Sequence, residues 1–116
     1  MNAVQLLRGE QDLMRLDAGQ FVFQEGEVGD AMYVVLDGEI DIFHRGVVIE
    51  TIGAGGIFGE MALVDDETRS ATAVAKTDAQ IARVTEQRFQ FLVQYSPNFA
   101  VDVMRVMAKR LRARMG

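Results

Sequence analysis

The chain has 116 residues, 49% hydrophobic and 25% charged, which is one domain with ample apolar material for a core that buries about two-thirds of the unfolded surface. It has no cysteine and one histidine, so no disulfide framework is expected and almost nothing remains for a zinc or copper site. A net charge of −5 argues against a nucleic-acid binder, and neither a signal peptide nor a membrane-length apolar run is present, so a soluble cytosolic domain is expected.

Residues 2–14 read as a short helix, with Val4, Leu7 and the Leu13/Met14 pair at roughly helical spacing and Gly9 as a weak point. From 16 to 84 the period changes. Short β-rich pieces lie at 21–23, 32–36, 40–43, 47–52, 70–75 and 79–84, separated by turn residues such as Gly26, Gly29-Asp30, Asp37-Gly38 and Arg45-Gly46. Closely spaced strands with no long helix between them predict a roll or barrel.

Residues 85–115 read as helical again. Thr85 is an N-cap for a helix carrying Phe89, Leu92 and Val93, and Ser96-Pro97 starts a second helix. At 100° per residue, Phe99, Val103, Val106 and Ala113 share a face with Arg110, while Ala100, Met104, Met107, Leu111 and Met115 form a second apolar face. Two apolar faces predict one packed on the strands and one turned to a protein partner or a second copy. Residues 97–116 carry five cations against one acid, a net +4, which leaves −9 for the rest. Such cations complement a helix C-terminus.

The chemistry lies between. Gly53, Gly55, Gly56 and Gly59 lead into Glu60, and Arg69-Ser70 follows nine residues after Glu60. A planar cation suits phosphate oxygens, a carboxylate accepts from sugar hydroxyls and a serine adds a hydroxyl; amides near Met61 and Ala62, opening a short helix at 60–64, are further donors. On the residues alone the duller reading stays ahead: the glycines turn the chain, Glu60 is solvated, and Arg69 pairs with Asp65, Asp66 or Glu67.

The run Phe58-Gly59-Glu60-Met61-Ala62-Leu63, followed by Arg69-Ser70-Ala71-Thr72, resembles the phosphate-binding cassette of the cyclic-nucleotide-binding domain family, which includes catabolite activator proteins, kinase regulatory subunits and nucleotide-gated channels. Segments 16–20, 26–33 and 36–40 resemble its first strands and next turn, so the likeness runs from about Leu16 to Leu111. It implies an α+β fold: an antiparallel, jelly-roll-like β-roll over 16–84, with the cassette at 58–72, a short N-terminal helix and C-terminal helices. It implies that Glu60 accepts the ribose 2′-hydroxyl, that Arg69 pairs with the cyclic phosphate, and that Ser70 with the Met61 and Ala62 amides completes the cradle, Gly59 allowing close approach. Ile42 and Ile49 become walls for the base. Arg110 falls where channel-type members place an arginine over the purine, although an arginine snorkelling from a helix end fits the same position. Asp65, Asp66 and Glu67 form an unusually acidic connection beside a phosphate site.

In the family, threonine directly after the cassette arginine favours cyclic GMP; Ser70 stands there, so the resemblance favours cyclic AMP. The implied function is a non-catalytic regulatory sensor whose C-terminal helix moves on binding, with no cofactor, metal, membrane or nucleic acid bound by this chain. Two alternatives stay open: a protein-interaction module that works without nucleotide, and the sensor part of a transcription factor whose DNA-binding domain would follow Gly116.

Overall fold

The computed structural model describes residue 7, residues 12–65 and residues 68–115. Its strands, in chain order, are β1 (Leu13–Leu16), β2 (Phe21–Phe23), β3 (Ala31–Asp37), β4 (Ile40–His44), β5 (Val47–Ile52), β6 (Ile57–Phe58), β7 (Thr72–Ala75) and β8 (Ala79–Thr85). A 3-10 turn, Glu60–Leu63, follows β6. Two helices, α1 (Glu86–Tyr95) and α2 (Pro97–Met115), follow β8. All strand pairs are antiparallel, and they form two four-stranded sheets in the orders β1-β8-β3-β6 and β2-β7-β4-β5.

The sequence Ala-Met-Tyr-Val-Val-Leu of β3 explains how the layers stack. Alternate side chains of a strand face opposite ways, and both faces of β3 are covered. Tyr33 and Val35 join Phe58, Ile81, Ile40, Ile52, Ala73 and Ala75 in a core between the two sheets. Met32, Val34 and Leu36 point the other way and join Val84, Leu92, Phe99 and Val103 in a second core beneath the helices. A strand buried on both faces reads as a continuous apolar run. The other sheet has a solvated face, and β5 is exposed along most of its length.

These two sheets with the helices outside are the expected β-roll. Six strands fall where the β-rich pieces between turn residues place them, within one or two residues at their ends. One boundary differs. Leu13 and Met14 belong to β1, paired with Ala82 and Ile81 of β8, and do not end a helix. The edge of β8 offers them backbone partners, and helix propensity is too weak a preference to outweigh that pairing. Leu7 is helical and buried in the core beneath the helices; the rest of the predicted N-terminal helix up to residue 11 lies outside the described residues. Among the described residues no helix is long and apolar enough to cross a membrane.

The helices start as their signals require. The Thr85 hydroxyl accepts from the Arg88 amide at 3.2 Å, which satisfies one of the unpaired donors at the start of α1. Phe99 and Val103 of α2 are buried, and the Phe99 ring lies 5.7 Å from that of Phe89 on α1. On the second apolar face Met104 and Leu111 are exposed, whereas Met107 packs on the core. Phe99, 1% exposed, should therefore carry the docking of α2. Phe99→Ala is expected to cost about 3–5 kcal/mol in urea unfolding, against about 0.5 kcal/mol or less for Leu111→Ala on the exposed face. Equal losses for the two would contradict this packing.

Candidate functional site

The short strand β6 sets the site. Phe58 is locked in the roll interior, stacked on Tyr33 at 5.2 Å between ring centroids and tilted against Phe23 at 6.0 Å. The next residue must turn the chain without a side chain. Gly59 has φ +73°, and a Cβ there would lie 2.9 Å from an Arg69 nitrogen and 3.4 Å from the Phe23 and Tyr33 rings. Only glycine meets both demands without strain. Glu60 then opens the 3-10 turn and points back into the protein. The predicted short helix is thus a single turn, in which the Ala62 amide donates to the Gly59 carbonyl at 3.3 Å. Met61 is exposed and Ala62 half-buried beside it.

Arg69 arrives from the other side. Its backbone is clamped to the β2–β3 connection: the Gly26 amide donates to the Arg69 carbonyl at 2.8 Å, and the Arg69 amide to the Glu27 carbonyl at 2.7 Å. This holds the side chain inward, 8% exposed. Nη1 donates to the Gly59 carbonyl at 3.0 Å and Nη2 to the Ala31 carbonyl at 2.7 Å. The guanidinium carbon lies 4.1 Å from the centroid of the Phe23 ring, within cation–π range. Nε is buried and has no hydrogen-bond partner among the described residues. Burial pulls the Arg69 pKa down, yet an arginine keeps its proton in proteins. A permanent cation is therefore held with one donor left over.

Glu60 is the second buried charge, its side chain 6% exposed. Arg110 of α2 donates to its Oε1 through Nη1. The same guanidinium donates to Glu50 on β5, Nε to Oε1 at 3.0 Å and Nη2 to Oε2 at 3.2 Å, and Nη2 reaches the Ile57 carbonyl at 2.6 Å. Burial pushes the Glu60 pKa above its ordinary 4.5, and the Arg110 charge offsets only part of that rise.

The remaining residues expected at the site are placed unequally. Ile42 is half-buried and packs on the inter-sheet core, while Ile49 is exposed at an irregularity where Ile42 pairs with Glu50 and Phe43 with Val48. Ser70 is exposed, and its carbonyl lies 3.1 Å from His44 Nδ1. Arg110 does not snorkel away: its side chain is only 24% exposed and turned onto Glu60. The guanidinium of Arg69 is directed at carbonyls; of the acidic connection, Asp65 is exposed, and Asp66 and Glu67 lie outside the described residues.

Sequence reasoning missed four contributors. Gly29 leaves room for Arg69, since a Cβ there would lie 2.7 Å from its Cζ and Nε. The Ala31 carbonyl and the Phe23 ring hold the same guanidinium. Glu50 was legible in principle. Paired residues of neighbouring strands share a face, Ile40↔Ile52 point into the roll, and two residues along the pair is Ile42↔Glu50. A charge at an inward register position was the available signal.

Comparison with known proteins agrees with this geometry. The family model described as cyclic nucleotide-binding domain matches residues 13–96. The chain is 39% identical over 84 residues to a cAMP-dependent protein kinase regulatory subunit of Aspergillus niger, covering 71% of this chain and 20% of that protein. It is 40% identical over 81 residues to a cGMP-dependent protein kinase of Caenorhabditis elegans, covering 70% of this chain and 10% of that one. The crystal structure of the Thermus thermophilus catabolite activator protein superposes with a TM-score of 0.79 at 30% identity, over 88% of this chain and 50% of that one. The chain thus spans a fifth or less of the length of the two kinase relatives. With the roll, the glycine bend and the buried acid–arginine pair in one place, the chain belongs to the cyclic nucleotide-binding domain family.

Proposed function

We propose that this domain is a cytoplasmic, non-catalytic sensor that binds cyclic AMP in preference to cyclic GMP and answers by moving α2. One observation carries the reading: the Arg69 guanidinium is buried, fixed by two carbonyls and a ring, and its Nε has no partner among the described residues. Burying a charge is costly unless it is paired. A cyclic phosphate supplies both a counter-charge and an acceptor for that donor.

The assignment of the other groups follows from it. Glu60, beside the same glycine bend, accepts a ribose hydroxyl. Gly59, Met61, Ala62 and Ser70 line the phosphate side, and Ile42 and Ile49 the base. The preference for cyclic AMP rests on Ser70, since the family resemblance links threonine at that position to cyclic GMP. Arg110 enters from α2 through Glu60, so helix and ligand share one carboxylate. The exposed Met104 and Leu111 face of α2 is assigned to a protein partner or a second copy, through which the helix movement is read.

Removing the cation tests the reading. Arg69→Ala should weaken cyclic AMP binding by about 2–5 kcal/mol, roughly 30- to 4,000-fold, in a calorimetric titration of the folded variant. Gly29→Ala should push the guanidinium aside and weaken binding by about tenfold or more with the charge kept. Affinity unchanged in both would remove Arg69 from the phosphate.

Glu60 makes a separate prediction. A carboxylate whose pKa is raised by folding holds its proton more tightly when folded than when unfolded. Its contribution to stability is full below the ordinary 4.5 and is lost as pH rises through the raised value. Between about pH 4 and pH 7, the melting temperature of the parent should therefore fall relative to that of Glu60→Gln. A parent melting temperature that stays level with or rises relative to that of Glu60→Gln over this range would contradict a buried, destabilised Glu60 carboxylate.

A further inference from the structure

Glu50 is a charge where the strand pattern calls for an apolar residue. The β4–β5 register pairs Ile40 with Ile52 and Ile42 with Glu50, and Ile40 and Ile52 lie in the core between the sheets. Paired residues share a face, and alternate residues return to it. The Glu50 side chain therefore leaves from the inner face of the roll, across from Ile42.

What the carboxylate holds there is an arginine from another element. Arg110 of α2 donates to both of its oxygens, Nε to Oε1 at 3.0 Å and Nη2 to Oε2 at 3.2 Å. A two-point bond of this kind fixes the plane of a guanidinium as well as its position. Nη2 also reaches the Ile57 carbonyl at 2.6 Å, and Nη1 donates to Glu60 Oε1. A carboxylate accepts through two oxygens, so Arg110 and a sugar hydroxyl can share Glu60.

The same contact sets where the end of α2 lies. Phe99 and Val103 are buried and Val106 half-buried, which anchors the first part of the helix. Of residues 108–113, all are exposed except Arg110, which lies seven residues beyond Val103, about 10 Å along the helix axis. Beyond the apolar anchor, the helix is held to the roll through the Arg110 side chain.

We propose that Glu50 is a positioning residue for nucleotide binding: it orients the Arg110 guanidinium and holds the end of α2 down on the roll, where Arg110 closes over the bound nucleotide, without itself touching the ligand. The inference rests on the reading that a cyclic nucleotide occupies this site with its base toward Ile42 and Ile49.

The sign of one variant separates this role from plain electrostatics. The ligand is an anion, and removing a nearby negative charge favours it, so charge alone predicts tighter binding by Glu50→Gln. Positioning predicts the opposite, because the closed arrangement becomes less populated and the apparent affinity falls in proportion. In a calorimetric titration with cyclic AMP, Glu50→Gln should bind about three- to tenfold more weakly than the parent. Made in Arg110→Met, which has no guanidinium to orient, the same substitution should cause no loss. Hydrogen exchange of the nucleotide-saturated protein gives an independent readout: residues 108–113 should exchange faster in Glu50→Gln than in the parent.

Weaker binding that is confined to the Arg110 background, together with faster exchange, supports the role. Where Arg110→Met binds too weakly to titrate, weaker binding by Glu50→Gln and its faster exchange decide. Equal or tighter binding by Glu50→Gln, unchanged exchange, or a loss as large in Arg110→Met as in the parent overturns it, the last because Glu50 would then act on the ligand directly. Each of these leaves nucleotide binding by the parent standing. If the parent binds no cyclic AMP, the reading of the site fails and the role of Glu50 falls with it.

Discussion

Burying the Arg69 guanidinium removes most of a cation's water, and the structure around it is arranged to offset that cost. The Gly59 and Ala31 carbonyls accept two of its donors, and the Phe23 ring covers one face. Each of these depends on something farther away. Gly59 has its conformation because Phe58 is locked beside Tyr33 in the roll, and Ala31 begins the central strand β3. Gly29 must lack a side chain for the guanidinium to fit. The roll, the bend and the arginine thus form one unit, and loosening Phe58 or filling Gly29 would move the charge.

The second buried charge is placed by the same bend but solved differently. Glu60 is answered by Arg110, which arrives from a helix anchored at Phe99 and Val103. The basic C-terminal region and the acidic remainder of the chain meet here, in a contact between Arg110 and the carboxylates of Glu50 and Glu60. Cations on a late helical turn that suit the helix dipole also include one that crosses to the roll. The two arginines differ in setting: Arg69 is fixed in the body with Nε unpartnered among the described residues, and Arg110 reaches the roll from the C-terminal helix.

Much of this was readable in the residues. The β-rich pieces at 40–43 and 70–75 between turn residues located β4 and β7, and Ser96-Pro97 located the start of α2, because local rules decide those features. Local rules failed where pairing decides. Leu13 and Met14 look helical but are drawn onto β8, and the two-residue strand β6 is too short to show any period. At the site, Glu60, Gly59 and Arg69 stood out through their likeness to the family cassette, since residue type and spacing alone left the duller reading ahead. The Ala31 carbonyl could not, since a backbone acceptor has no signature in sequence. Phe23 and Gly29 appeared only as a strand residue and a turn residue, and their use emerges when Arg69 is folded onto them. Arg110 was marked by its odd place on an apolar face, but its partner Glu50 required the β4–β5 register.

The most direct test of the account is a melting-temperature titration of the intact chain with cyclic AMP and, in parallel, cyclic GMP. A ligand that binds only the folded state must stabilise it, by about 2.7 kcal/mol at a hundred times its dissociation constant. The account predicts that both nucleotides raise the melting temperature saturably, cyclic AMP at lower concentration. No shift with either nucleotide, up to millimolar concentration, would contradict it.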